Sequence, residues 1–428
     1  MTKNYTFAYG SGSVTFPLEE SQVHAELYGN DVPALPDIAA AVRNSLDRPI
    51  GCQPLRDCVT EESKVVLVIS DMSRFWMRQD LVVPHLIEYL LDDCCLTPEN
   101  ITILIANGTH PAGDEKELRK LVTDDVFDRI RVLNHDCRAN DLIALGTTSF
   151  GTEVMVNSLA AQADLCLCLG AVSYHVMAGF GGGRKSILPG ISGEATIRHN
   201  HSLSLDCEKF RSNPLIGNGR TEDNPLNLDM LEAAGMMKNL FMVNLVINAE
   251  GKLCAVFSGH YVESWKQACR EVQRVYQVPI KEQVDVVIAG CGGYPRDMSL
   301  YQGTKAIDNV ESALKPGGTL ILVIEAREGG GPVEYFGWNR NLQDGSLEKR
   351  LRGDFTVAGY VFFLNCEQAQ RYRVMLLSEI DPAETAPMGI ESYRDVPSLL
   401  AAAALDGKSI AVIPNAGSVV PVLQGTSD

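Results

Sequence analysis

The apolar positions of this chain fall into short uninterrupted runs separated by longer amphipathic stretches. Lys64–Ser70 is the clearest run, a β-branched series with no polar alternation, which is the mark of a strand covered on both faces. Ile101–Ala106, Asp164–Gly170, Phe241–Asn248, Val284–Ala289, Thr319–Glu325 and Lys408–Pro414 read as strands too. So do the shorter Tyr5–Tyr9, Val14–Pro17, Arg131–Asn134, Leu253–Phe257 and Arg373–Ser378. Helical spacing predicts helices over about Asp37–Leu46, Val83–Asp92, Val262–Tyr276, Leu300–Leu314 and Val361–Gln370. Strands alternating with helices predict an α/β protein built on parallel sheets. A chain of 428 residues is too long for one core, so the expectation is two Rossmann-like α/β domains with a site in the cleft between them. The turn-rich Val278-Pro279-Ile280-Lys281-Glu282 marks the boundary. The predicted N-terminal domain is 1–278, completed by 408–428, and the C-terminal domain is 279–407.

Composition narrows the partners. Thirty-seven basic against fifty-four acidic residues leave a formal charge of −17, which argues against nucleic acid or an anionic membrane. An anionic substrate would have to be received by a local positive pocket. The twelve cysteines are scattered, with no Cys-x-x-Cys, and several lie inside apolar runs, the pattern of a reducing compartment. Met1–Tyr5 lacks a signal segment and no run of about twenty apolar residues occurs, so the expected location is the cytoplasm.

Candidate chemistry gathers where predicted strands end, the edge at which α/β folds place ligands. Lys64–Ser70 ends in Asp71-Met72-Ser73-Arg74, and Ile101–Ala106 ends in Asn107-Gly108-Thr109-His110. Either turn could use these residues for backbone hydrogen bonds alone, but the recurrence at two strand ends favours a site. The third strand passes through Ser173-Tyr174-His175 into Gly179-Phe180-Gly181-Gly182-Gly183-Arg184-Lys185-Ser186, then a helix carrying Glu194, His199 and His201. A Walker loop would need glycine before its lysine and an unbroken helix after it; here Arg184 and Pro189-Gly190 stand in those places. The plain alternative is a tight turn with a solvated basic pair. His199 and His201 are two apart and point about 200° from each other on a helix, so one metal could take only one of them. His135 reads as a turn residue, and His24, His85 and His260 lack distinguishing polar company. In the second domain Val284–Ala289 closes on Gly290-Cys291-Gly292-Gly293-Tyr294-Pro295, and Gln302 and Lys305 share a helix face.

Taken together, Asp71-x-x-Arg74, Gly108-Thr109-His110, Tyr174-His175, Gly179-Phe180-Gly181-Gly182-Gly183-x-Lys185, His201, Gly292-Gly293-Tyr294-Pro295 and Tyr301-Gln302-x-x-Lys305 resemble the nickel-pincer-nucleotide-dependent lactate racemase family. The resemblance spans about residues 64–325. It implies an isomerase that racemises or epimerises a 2-hydroxyacid by reversible proton-coupled hydride transfer. The implied cofactor is nickel pyridinium-3,5-bisthiocarboxylate mononucleotide, made by separate cofactor-biosynthesis proteins. By the resemblance, Lys185 joins it through a thioamide and His201 ligates nickel. Asp71 and Ser73 help seat the nucleotide, His110 and His175 are the acid/base pair, and Arg74, Gln302 and Lys305 hold the substrate. The residue chemistry agrees: the C–H bond of a 2-hydroxyacid is too weakly acidic for a side-chain base, whereas hydride loss is feasible if the hydroxyl proton leaves with it. A histidine suits that proton, and an arginine suits the carboxylate. Two other classes stay in view, an ATP- or GTP-using enzyme with a degenerate phosphate loop and a binding module that has kept the fold without catalysis.

Overall fold

The computed structural model describes residues 1–424, and Lys305 through its backbone alone. The chain divides into two compact units, one of Asp31–Ser204 and Asn213–Val275, the other of Met1–Asn30, Leu205–Ser212 and the chain from Tyr276 onward.

The first unit is built on a six-stranded sheet. In chain order its strands are Val65–Ser70, Ile101–Ala106, Arg131–Asn134, Leu165–Val172, Leu240–Ile247 and Leu253–Gly259. Side by side they run 3-2-1-4-5-6, all parallel except the last pair. That is the Rossmann order, and it puts the reversal of winding between the first and fourth strands, where Val65 pairs with Leu165 and Val68 with Cys168. Every residue of Leu165–Val172 is buried, as are Val65–Ile69, which is why both lack polar alternation. One face is closed by the helix Val83–Glu88, whose Val83, Leu86 and Ile87 meet Leu67, Ile69 and Ile103 in one core. Such side chains stabilise by roughly 1.5–3 kcal/mol each when fully buried. The predicted helix to Asp92 stops short, because the chain takes a π turn over Tyr89–Asp93.

The second unit holds a wholly parallel sheet in the order Ile390–Tyr393, Arg373–Leu377, Leu314–Val323, Val284–Gly290, Ile410–Ile413, Val23–Glu26. The hairpin Thr2–Tyr9 and Gly12–Glu19 lays Tyr5, Phe7, Phe16 and Leu18 into its core. Two expectations are corrected here. The expected completion of a domain of residues 1–278 by 408–428 does not hold for 408–424, the rest lying outside the described residues: Ile410–Ile413 pairs with Val284–Gly290, and Val420–Leu423 with Gln277–Ile280. The first thirty residues likewise belong to this second unit. Hydrophobic period identifies a parallel strand but not its neighbour, so the partner of a strand far along the chain is invisible in the pattern. Leu205–Ser212 also joins this unit, with Phe210 stacked at 4.4 Å on Phe363 and the Ser212 amide donating to Glu367. Among the described residues no helix is long and apolar enough to cross a membrane.

Candidate active site

Within the first unit the predicted residues collect at the carboxyl ends of strands one, two and four. Asp71 follows Val65–Ser70 directly and is 8% exposed. Its Oδ2 lies 2.6 Å from His110 Nδ1, and its Oδ1 accepts from the Ser73 hydroxyl at 2.7 Å. Arg74 Nη1 donates in turn to Ser73 Oγ at 3.0 Å. Burial pushes the Asp71 carboxyl up, but the His110 hydrogen bond and charge, with Ser73 and Arg74, outweigh it and hold the carboxyl below its ordinary value. A carboxylate only accepts, so His110 carries a hydrogen on Nδ1, and its neutral form has the lone pair on Nε2. Asp71 and Ser73 thus orient His110. The turn beneath His110 is fixed by its own amide, which donates to the Asn107 carbonyl at 2.8 Å. Gly108, at φ +54°, donates to the Gly190 carbonyl and so ties this turn to the glycine loop.

The fourth strand runs into a two-residue hairpin, Tyr174–His175 against Gly179–Phe180. Its bend brings the Met177 and Ala178 amides onto His175 Nδ1, both at 3.2 Å. On the other side of the ring, Nε2 lies 2.8 Å from Lys185 Nζ. Gly179 is required here: at φ +74° a Cβ would sit 2.1 Å from the Arg220 carbonyl oxygen. Lys185 itself lies on a four-residue 3₁₀ turn, Gly183–Ser186, and not at the start of a helix. The phosphate cradle of a Walker loop is therefore missing, which removes the main support for a nucleotide triphosphate enzyme.

His201 is buried on the helix Glu194–Ser202. Burial above all pushes its imidazole down to about 3, so the ring is neutral. Its Nδ1 donates to the Ile197 carbonyl at 3.0 Å, which leaves the lone pair on Nε2. A neutral imidazole whose far nitrogen is held by a carbonyl is the usual condition of a metal-bound histidine. His199 is turned away and hydrogen-bonds Thr152, which with Thr148 and Asn200 surrounds the buried Asp229. Among the described residues no three His, Cys, Asp or Glu side chains converge as a metal cluster. A metal held by His201 would thus need its remaining donors from the group that carries it, which fits a cofactor bringing its own sulfur ligands.

Arg184 departs most from the sequence reading. It is fully buried, with its guanidinium 3.9 Å from the Trp265 ring centroid. It donates to the Ala178 carbonyl at 2.8 Å and to those of Gly181 and Gly182 at 3.3 Å. It is neither a solvated cation nor a phosphate ligand but the staple of the glycine loop, and burial pushes it down to about 9. Trp265 Nε1 and Asn244 Oδ1 complete the clamp on Gly181 and Gly183. Asn244, a polar residue inside an apolar strand, was the sequence signal for this clamp. His135 is structural, accepting from Asn157 and donating to the Ser192 carbonyl. Gln302 and Lys305 lie in the second unit, on the helix Leu300–Val310 capped by Ser299; the Lys305 side chain is outside the described residues.

Comparison with known proteins gives a consistent family. Residues 9–213 match the model of the lactate racemase N-terminal domain and residues 280–420 that of the lactate racemase C-terminal domain. The lactate racemase of Thermoanaerobacterium thermosaccharolyticum is 30% identical over 344 residues, 80% of this chain and 79% of its own. That of Lactiplantibacillus plantarum is 32% identical over 305 residues, 71% and 69% of the two chains. The solved lactate racemase apoprotein from T. thermosaccharolyticum superposes with a TM-score of 0.87 at 26% identity, covering 98% of this chain and all of that one.

Proposed function

From the premise that this chain belongs to the lactate racemase family, we propose that it racemises or epimerises a 2-hydroxyacid, lactate first among candidates, with a nickel-pincer nucleotide tethered to Lys185 and its nickel bound by His201. The observation that carries this reading is the setting of His201 and Lys185. One is a neutral imidazole with a free Nε2, and the other is an amine 2.8 Å from a second histidine.

When bound, the cofactor supplies a reversible acceptor for the substrate hydride. The chain's own residues do the rest. His110 Nε2 takes the hydroxyl proton, and the Asp71 carboxylate behind Nδ1 keeps the ring in that tautomer and steadies the imidazolium. His175, in the hairpin past the end of the fourth strand, serves the opposite face, so the planar 2-oxoacid can regain its hydrogen on either side. Arg74 receives the substrate carboxylate. Because hydride and proton both return, no net redox change occurs.

The test is optical. One enantiomer of lactate, then of longer and aromatic 2-hydroxyacids, is incubated with enzyme produced alongside the cofactor-biosynthesis proteins. The expected result is loss of optical purity with no net oxidation. Absence of racemisation across the panel, with intact mass showing the adduct on Lys185, would overturn the assignment.

A further inference from the structure

The hydrogen bond between Lys185 and His175 constrains which of its nitrogens carries hydrogen. His175 Nδ1 faces two backbone donors, the amides of Met177 and Ala178, so that nitrogen must carry its lone pair. A neutral imidazole then has its hydrogen on Nε2, 2.8 Å from Lys185 Nζ. That N–H needs an acceptor. An ammonium has none, while a neutral amine has one. A protonated His175 would place an Nδ1 hydrogen against both amides, and a charged Lys185 would place its hydrogens against Nε2–H. We propose that His175 holds Lys185 as its neutral amine in the protein before any cofactor arrives, making this lysine a preset nucleophile for an acyl or thioacyl carbon.

A second feature acts in the same direction. Arg184, the preceding residue, buries its guanidinium among the Ala178, Gly181 and Gly182 carbonyls and the Trp265 ring, with no carboxylate partner among the described residues. A cation held there disfavours another at its neighbour. The reaction needs no oxidant or reductant. The Nζ lone pair forms the new C–N bond, and the leaving group departs from the acyl carbon with its electron pair and takes up one amine proton. For a thiocarboxylic acid the group lost is water and the product a thioamide. The natural electrophile rests on the proposed tether, but the preset amine does not, so the two can fail separately.

The test uses the full chain made without the cofactor pathway. It is treated with limiting N-hydroxysuccinimidyl acetate from pH 6 to 9, and acetylation is followed peptide by peptide. Lys116, exposed in the first unit, is the internal reference. Lys185 should react at least about tenfold faster than Lys116 at pH 7 and level off at a pH well below the ordinary lysine value of ~10.4. In His175→Ala the advantage should vanish, with Lys116 unchanged. Imidazole ¹⁵N shifts of the wild type should report hydrogen on His175 Nε2. A Lys185 no faster than Lys116, an advantage that survives in His175→Ala, or hydrogen found on Nδ1 would each overturn the proposal, and the wild-type measurements stand even if that variant does not fold.

Discussion

Replacing Asp71 by asparagine isolates what the carboxylate does for His110. The side chain keeps its size and its place behind the ring, but its Nδ2 hydrogens can now donate to Nδ1, which turns the tautomer over and puts hydrogen where the base must be bare. The charge is lost as well. At 2.6 Å and an effective dielectric of about 50, fitting a mostly buried carboxylate beside a half-exposed ring, an imidazolium–carboxylate pair is worth ~2–3 kcal/mol. That alone is about 30- to 150-fold in rate. Adding the wrong tautomer brings the loss to the general-base range, on the order of 10²–10⁴ in kcat. KM should stay within about threefold, since Arg74 keeps its position. Chiral chromatography of initial rates checks this, with intact mass confirming equal cofactor loading. An Asp71→Asn enzyme within about threefold of wild-type kcat would refute the tautomer argument. The pH sense follows from the depressed carboxyl: its stabilising contribution is complete above the unfolded value of ~3.9 and is lost only as pH falls below that through the folded value.

Three further outcomes follow from the same geometry. His201→Ala should lose nickel, by elemental analysis, while circular dichroism stays native; full nickel retention would move the ligand elsewhere, His199 first. Arg184→Met, which removes the ring contact and three carbonyl bonds but also a buried charge, should cost ~2–3 kcal/mol in urea unfolding, and a change under ~0.5 kcal/mol would show that the loop does not need its staple. Asp308, bonded to Gln368 and pushed up to about 8 by burial and Glu311, binds a proton in the fold that the unfolded chain has released, so stability should fall as pH rises from about 4 to 8, by up to ~1.4 kcal/mol per unit. Asp308→Asn should flatten that slope, and an unchanged slope would assign it to another group.

What could be read in the sequence divides along a physical line. The strands of the first unit were legible because burial on both faces leaves an unbroken apolar run, and the ligand edge followed from where those runs stop. That Asp71 and His110 lie at that edge could be read this way. The pairing of residues 23–26 with 410–413 was not legible, since neither segment's pattern names its neighbour. Arg184 was misread for a related reason. A charged residue among glycines looks solvated unless the aromatic that covers it is known, and Trp265 lies eighty residues away on another helix. The choice between His199 and His201 needed the helix placed against Asp229.

The two strand-end histidines are set in opposite senses, and the difference comes from backbone and carboxylate alone. His110 gives its Nδ1 hydrogen to Asp71 and presents a base; His175 receives two amides at Nδ1 and presents an N–H. A racemase needs one proton acceptor and one proton donor at any moment, with the roles exchanged for the opposite enantiomer. While Lys185 is a neutral amine, His175 is occupied with it and unavailable to a substrate. Acylation of Nζ withdraws the nitrogen lone pair into the new bond and removes the acceptor that held Nε2–H. Under the proposed function the tether would therefore do more than anchor a cofactor: forming it would free His175 for its proposed part as the second acid/base group.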